Sequence, residues 1–118
     1  MTDFDFSTPM VRSGCRILVV FGIGDGAVIG EAADFPFDHI YGIEPSHHQA
    51  IVTAFKQAEN QKITIIHGKG ERGWRQISAE ISAGTPVLFL FGGATAEADR
   101  AAISAVRDMT RDVILVRD

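Results

Sequence analysis

One stretch restricts the fold more than any other: residues 16–30, Arg16-Ile-Leu-Val-Val-Phe-Gly-Ile-Gly-Asp-Gly-Ala-Val-Ile-Gly30. Ile17–Phe21 is an unbroken apolar run of β-branched, leucine and aromatic residues. A strand with no polar alternation suits a sheet covered on both faces, which is the parallel kind. Gly22, Gly24 and Gly26 follow at once. Glycines there allow a tight turn and let a ligand approach bare backbone. The residues after them can start a helix whose first amides point back at that ligand.

The rest of the chain repeats this alternation. Residues 27–33 predict a short helix, ended by Asp34, Pro36 and Asp38. Residues 39–43 predict a second strand, closed by Glu44 and Pro45. Ser46 and Gln49 have the spacing of a capping box, and Ile51, Phe55 and Ala58 suggest an inward apolar face for the helix they open, with a stop at Asn60. A third strand at 62–66 runs into His67, Gly68, Lys69 and Gly70. A helix over 73–83 follows, with Trp74, Ile77 and Ile81 inward and Gly84 as its C-cap. Residues 87–91 predict a fourth buried strand, and Gly92-Gly93 turns out of it. Thr95 opens a helix through Arg107, with Ala98, Ala102, Ile103, Val106 and Met109 facing the core. Residues 112–116 predict a fifth strand.

Strands alternating with helices imply parallel pairing. The expected fold is a three-layer α/β/α sandwich, Rossmann-like, with a mostly parallel five-stranded sheet and the first strand near its middle. Residues 15–118 form one domain, since 118 residues hold a single core. Residues 1–14 read as an N-terminal arm, with Phe4 and Phe6 alternating with Asp3 and Asp5 as in a short strand.

Composition narrows the function classes. Eleven Lys and Arg against 15 Asp and Glu leave no basic patch, which argues against nucleic acid. The N-terminus has no basic segment and no long apolar run, so neither a signal peptide nor a membrane span is expected. The single cysteine, Cys15, fits a reducing, cytoplasmic setting.

In an open parallel sheet, ligands bind beyond the carboxyl ends of the strands. That places Gly22, Ile23, Gly24, Asp25, Gly26, Glu44, Pro45, His67, Gly68, Lys69 and Gly92 in one region. Glu44 lies about twenty residues beyond the glycine turn, at the tip of the next strand, where a carboxylate accepts the hydroxyls of a ribose. The competing reading is an acid that merely favours the helix start after it. The glycines parse two ways. Gly22-x-Gly24-x-Gly26 is the spacing of S-adenosylmethionine sites, and Gly22-x-Gly24-x-x-Ala27 also satisfies the NAD-type pattern.

These motifs resemble those of the class I S-adenosylmethionine-dependent methyltransferases. The matching segments are Val20-Phe-Gly-Ile-Gly-Asp-Gly26, Tyr41-Gly-Ile-Glu-Pro-Ser46 and Ile63-Thr-Ile-Ile-His-Gly68. The Ile43-Glu44-Pro45 step is most similar to the FkbM-type branch. The resemblance implies a cofactor whose methionine part faces Gly22, Gly24 and Gly26, whose ribose meets Glu44 and whose adenine lies near Gly68 and Lys69. Two local features depart from the family. Val20 stands where an acid is usual, and Gly92-Gly-Ala-Thr95 replaces the usual acidic or aromatic loop. The family's sheet also continues beyond a fifth strand. S-adenosylmethionine binding is therefore better supported than methyl transfer.

Other candidates carry less. His47 and His48 are adjacent, about 100° apart on a helix, and unsuited to sharing a metal. His67 is the nearest thing to a general base. Asp25 is expected to orient the turn or cap its helix, and Trp74 to be core. No metal spacing, Ser-His-Asp set or Walker lysine occurs. Two further functions stay open: an NAD-binding regulatory domain at the same cleft, and a structural domain of a homodimer, paired through an edge strand.

Overall fold

The computed structural model describes Phe6, Thr8, residues 14–82 and residues 84–117. The strand expected around Phe4 lies outside the described residues. Among the described residues, five strands and four helices alternate: β1 (Ile17–Phe21), α1 (Ala27–Ala32), β2 (His39–Glu44), α2 (His47–Lys56), β3 (Ile63–His67), α3 (Gly70–Ser78), β4 (Val87–Gly92), α4 (Ala96–Ser104) and β5 (Val113–Arg117). The strands form one sheet in the order β3-β2-β1-β4-β5, and every pairing is parallel. This is the Rossmann-like sandwich expected from the apolar runs, with β1 at its centre.

Alternate residues of each strand feed two cores, one per face. Leu18 and Val20 of β1 join Val28, Ile29 and Ala32 of α1, together with Phe6 and Phe37. Val19 and Phe21 join Trp74 and Ile77 of α3 and Ala96 and Ile103 of α4. Helix α1 has only six residues, too few to stand alone, so packing of its buried stripe holds it in place. On the other face, Phe21, Phe89 and Phe91 stack with centroids 5.0–6.2 Å apart. Each aromatic pair contributes about 0.5–1.5 kcal/mol beyond its buried area. They stiffen the sheet just beneath the carboxyl ends of β1 and β4.

Helix faces depart from expectation in two places. Ile51 and Phe55 of α2 are exposed, at 53% and 83%, and Ala58 is exposed as well. The inward face is instead Ala50 and Thr53, with Thr53 packed directly against the bare backbone of Gly26. In α4, Ile103 is buried, but Ala98 is exposed and Val106 lies 66% exposed beyond the helix end. Several helices are also shorter than their patterns suggest. Helix α2 stops at Lys56, before Asn60. Helix α3 begins at Gly70 and ends at Ser78, capped by Ala79 rather than Gly84. Trp74, Ile77 and Ile81 are nonetheless all core. Among the described residues, no helix is long and apolar enough to cross a membrane.

Candidate functional site

The strand register sets a row of residues along the carboxyl edge. Phe21 pairs with Ile43 on one side and Phe91 on the other. Glu44 pairs with His67, and Gly92 with Arg117. One step past Phe21, the edge therefore reads His67, Glu44, Gly22, Gly92, Arg117. The strand order reverses between β1 and β4, and α/β sheets bind ligands at such a reversal.

A cleft of about 370 Å³ opens there, lined by Gly22, Gly24, Asp25, Glu44, Pro45, Gln49, Gly92, Gly93, Ala94, Thr95 and Arg117. Its size falls at the lower end for small-molecule sites. A second hollow of about the same volume lies beside Trp74 and Arg107, away from the carboxyl edge.

Three glycines, all with positive φ, shape the first loop. They do different work. A Cβ on Gly22 would strike the Gly92 carbonyl oxygen, so this glycine lets the β1 and β4 loops touch. A Cβ on Gly26 would strike Thr53 of α2. Gly24 alone looks onto open space, its nearest neighbour being Arg117 Nη2 at 3.8 Å from a would-be Cβ. Gly24 is thus the bare backbone of the cleft. Asp25 Oδ1 accepts from the Ala27 amide at 3.0 Å and so fixes the start of α1. Ile23 is wholly buried in the core.

Glu44 is 4% exposed and both its oxygens are engaged. Oε1 accepts from the Gly24 amide at 3.1 Å and Oε2 from the Ser46 amide at 2.8 Å. The carboxylate thereby ties the glycine loop to the β2–α2 turn. Each oxygen has a second lone pair, so the group can still accept from a ligand hydroxyl. Ser46 Oγ accepts the Gln49 amide at 3.3 Å. This is half of the expected capping box, since Glu44 rather than Gln49 takes the Ser46 amide.

His67, Gly68 and Lys69 are not among the residues lining the cleft. The His67 ring lies 4.9 Å from that of His47, and the Gly68 amide donates to the Glu44 carbonyl at 2.9 Å. Lys69 is exposed at the start of α3. Among the described residues, no cluster of three metal-ligating side chains occurs.

Two residues at this edge escaped the sequence reading. Arg117 ends β5 and lines the cleft. It gave no signal, because an arginine at a strand end reads as solvated. Asp99 is buried in α4 and accepts from the Thr95 hydroxyl at 2.9 Å. Burial pushes its carboxyl up, against the lowering effect of that hydroxyl. It packs so tightly on Gly70 that no Cβ fits there. Its only trace in the sequence is a Thr–Asp spacing of four.

No protein-family model matches the chain, and neither does any curated protein. Twenty-two solved chains resemble it. One is a protein of Staphylococcus aureus assigned as a caffeoyl-CoA O-methyltransferase, with TM-score 0.62, 11% identity and 91% of this chain covered. Another is the [4+2]-cyclase SpnF, with TM-score 0.57, 15% identity and 86% covered. This chain spans 55% and 38% of their respective lengths. Likeness at such identities is likeness of fold, and one fold hosts many reactions. The chain therefore has a Rossmann-type α/β fold, which it shares with these two proteins.

Proposed function

We propose that this chain binds S-adenosylmethionine in the cleft over Gly24, as a methyltransferase-like domain acting on a small molecule. The observation that carries the reading is Glu44, whose carboxylate is fixed against the glycine loop at the point where strand order reverses. The residues present suit such a ligand. Glu44 keeps lone pairs for ribose hydroxyls, and Gly24 leaves backbone bare. An elongated nucleoside would lie along the row His67–Glu44–Gly22, its adenine end reaching beyond the cleft's lining toward Gly68 and Lys69. The FkbM-type likeness of Ile43-Glu44-Pro45 belongs to the same reading.

A bound sulfonium supplies an activated methyl group with a good leaving group already attached. This chain's residues then have to hold the ligand and orient the acceptor, and positioning alone lowers a barrier substantially. Glu44 would fix the sugar and the Gly22–Gly92 contact would keep the floor of the site rigid.

Calorimetric titration of the chain with S-adenosylmethionine, S-adenosylhomocysteine, NAD and NADH tests the reading. The expected result is one-to-one binding of the two sulfur nucleosides, with thermal stabilisation of about 2.7 kcal/mol at a hundredfold excess over Kd. Binding of NADH alone would overturn it in favour of a nucleotide-sensing domain. Absence of any binding would leave only a fold.

A further inference from the structure

Arg117 ends β5 with its side chain turned back over the carboxyl edge of the sheet. A Cβ on Gly92 would come within 3.0 Å of Arg117 Nε and 3.3 Å of its Cγ, so the stem lies on bare glycine backbone. Nη2 donates to the Gly22 carbonyl at 3.4 Å and stands over Gly24. Nε is removed from solvent and has no hydrogen-bond partner among the described residues. No ion pair among the described residues involves Arg117.

A guanidinium is always charged, donates five hydrogen bonds and accepts none. Leaving one of its donors buried without an acceptor carries the full desolvation cost of that group. The two acids of the cleft do not relieve it. Glu44 accepts from the Gly24 and Ser46 amides and Asp25 from the Ala27 amide, and neither carboxylate is hydrogen-bonded or ion-paired to Arg117. The single bond to Gly22 is long, so the side chain is loosely held. Nε and Nη2 share one edge of the guanidinium, beside the cleft that Arg117 lines. That edge is the fork that matches a carboxylate in bidentate fashion.

We infer that Arg117 recognises a carboxylate carried by the ligand of this cleft. The inference rests on the reading of the cleft given above. Two sources supply that chemistry: the amino-acid end of the sulfur nucleoside itself, or a carboxylate on the methyl acceptor. The pairing also explains why a cation lies across a glycine loop that would otherwise be open.

The test uses the whole chain, as wild type and as Arg117→Met, which keeps the stem on Gly92 and removes the charge. Calorimetry measures S-adenosylhomocysteine, its decarboxylated analogue, and benzoate added to the S-adenosylhomocysteine complex. If the nucleoside supplies the carboxylate, Arg117→Met weakens S-adenosylhomocysteine at least about tenfold and leaves the decarboxylated analogue unchanged. If the acceptor supplies it, both nucleosides are unchanged and benzoate binding falls by about as much. The Arg117 Nε–H resonance of the wild type gives a second readout should the variant fold poorly. It shifts with S-adenosylhomocysteine but not with the analogue in the first case, and with benzoate in the second. Unchanged affinities and an unmoved resonance, in a wild type that binds the nucleosides, overturn the role of Arg117 alone. A wild type that binds neither nucleoside overturns the cleft reading and this inference with it.

Discussion

Glu44 Oε1 accepts a hydrogen bond from the Gly24 amide at 3.1 Å, joining residues twenty apart in sequence. The same carboxylate holds the Ser46 amide at 2.8 Å through its other oxygen. It is a brace between two loops as well as the proposed sugar contact. Glu44→Ala removes a charged acceptor from two amides, and the expected loss is about 2–4 kcal/mol of stability. Hydrogen exchange at Gly24 and Ser46 should quicken in that variant more than at Val19 or Phe89, deep in the sheet. Glu44→Gln turns an NH2 toward one of the two amides and should fall between. Unchanged exchange at both amides would show that the brace is absent.

The glycines of the first loop should not respond alike to a methyl group. All sit at positive φ, which costs an ordinary residue about 1–2 kcal/mol. Gly24→Ala carries that cost alone, because only Arg117 is near. Gly22→Ala adds a backbone collision with Gly92 that no side-chain movement relieves. Urea unfolding should therefore find Gly22→Ala about 2 kcal/mol or more below Gly24→Ala, the scale of an overpacked core. Ligand affinity should rank the other way among variants that remain folded, since Gly24 faces the cleft. Equal losses for the two would mean that the β1 and β4 loops do not touch.

What the sequence revealed and what it hid follow from how each feature is encoded. The strands were legible because β1 and β4 are buried on both faces, and such burial leaves an unbroken apolar run. The carboxyl-edge row was mostly legible too, since glycines and an acid after a strand are local signals. The inward face of α2 was not. Ile51 and Phe55 have helical spacing, yet the side that meets the protein carries Thr53, seated on Gly26 in a contact that a Cβ at 26 would block. That constraint lies in a distant segment, and helical periodicity carries no trace of it. Arg117 was hidden for the same reason: its role comes from lying on Gly92, a neighbour only through the pairing of β4 with β5.

Arg107 and Asp112 form the one nearly dry ion pair among the described residues, with side chains 10% and 0% exposed. Asp112 accepts Arg107 Nε at 2.8 Å and Nη2 at 3.0 Å, and also the Val87 amide at 2.9 Å. Arg107 Nη2 further donates to the Thr85 carbonyl, and its guanidinium lies over Trp74. The pair thus pins the turn after α4 to the start of β4. Asp112→Ala leaves a buried guanidinium and a bare strand amide, so about 3–5 kcal/mol of stability should be lost. The double variant Arg107→Met with Asp112→Ala should be less damaged than the sum of the single losses, because it strands no charge. Additive losses in denaturant titration would contradict the pairing.

His39 begins β2 at the opposite end of the sheet from the cleft. A ring nitrogen lies 2.7 Å from Thr64 Oγ1, and the ring packs 4.4 Å from that of Tyr41. Burial lowers its pKa below 6.5, and the Glu80 carboxylate opposes that shift without cancelling it. The unfolded chain then binds more protons than the folded one between the folded pKa and 6.5. The stability linked to His39 is complete above 6.5, declines as pH falls below it, and levels off beneath the folded pKa. His39→Gln keeps a partner for Thr64 and removes the titration. Urea midpoints taken at about pH 7.5 and about pH 5.5 should fall less on acidification in the variant than in the wild type. His39 lines no part of the cleft, so the affinity for S-adenosylhomocysteine should be the same in both proteins at the higher pH. A variant that loses stability as steeply as the wild type would show that the imidazole is not desolvated at the foot of β2.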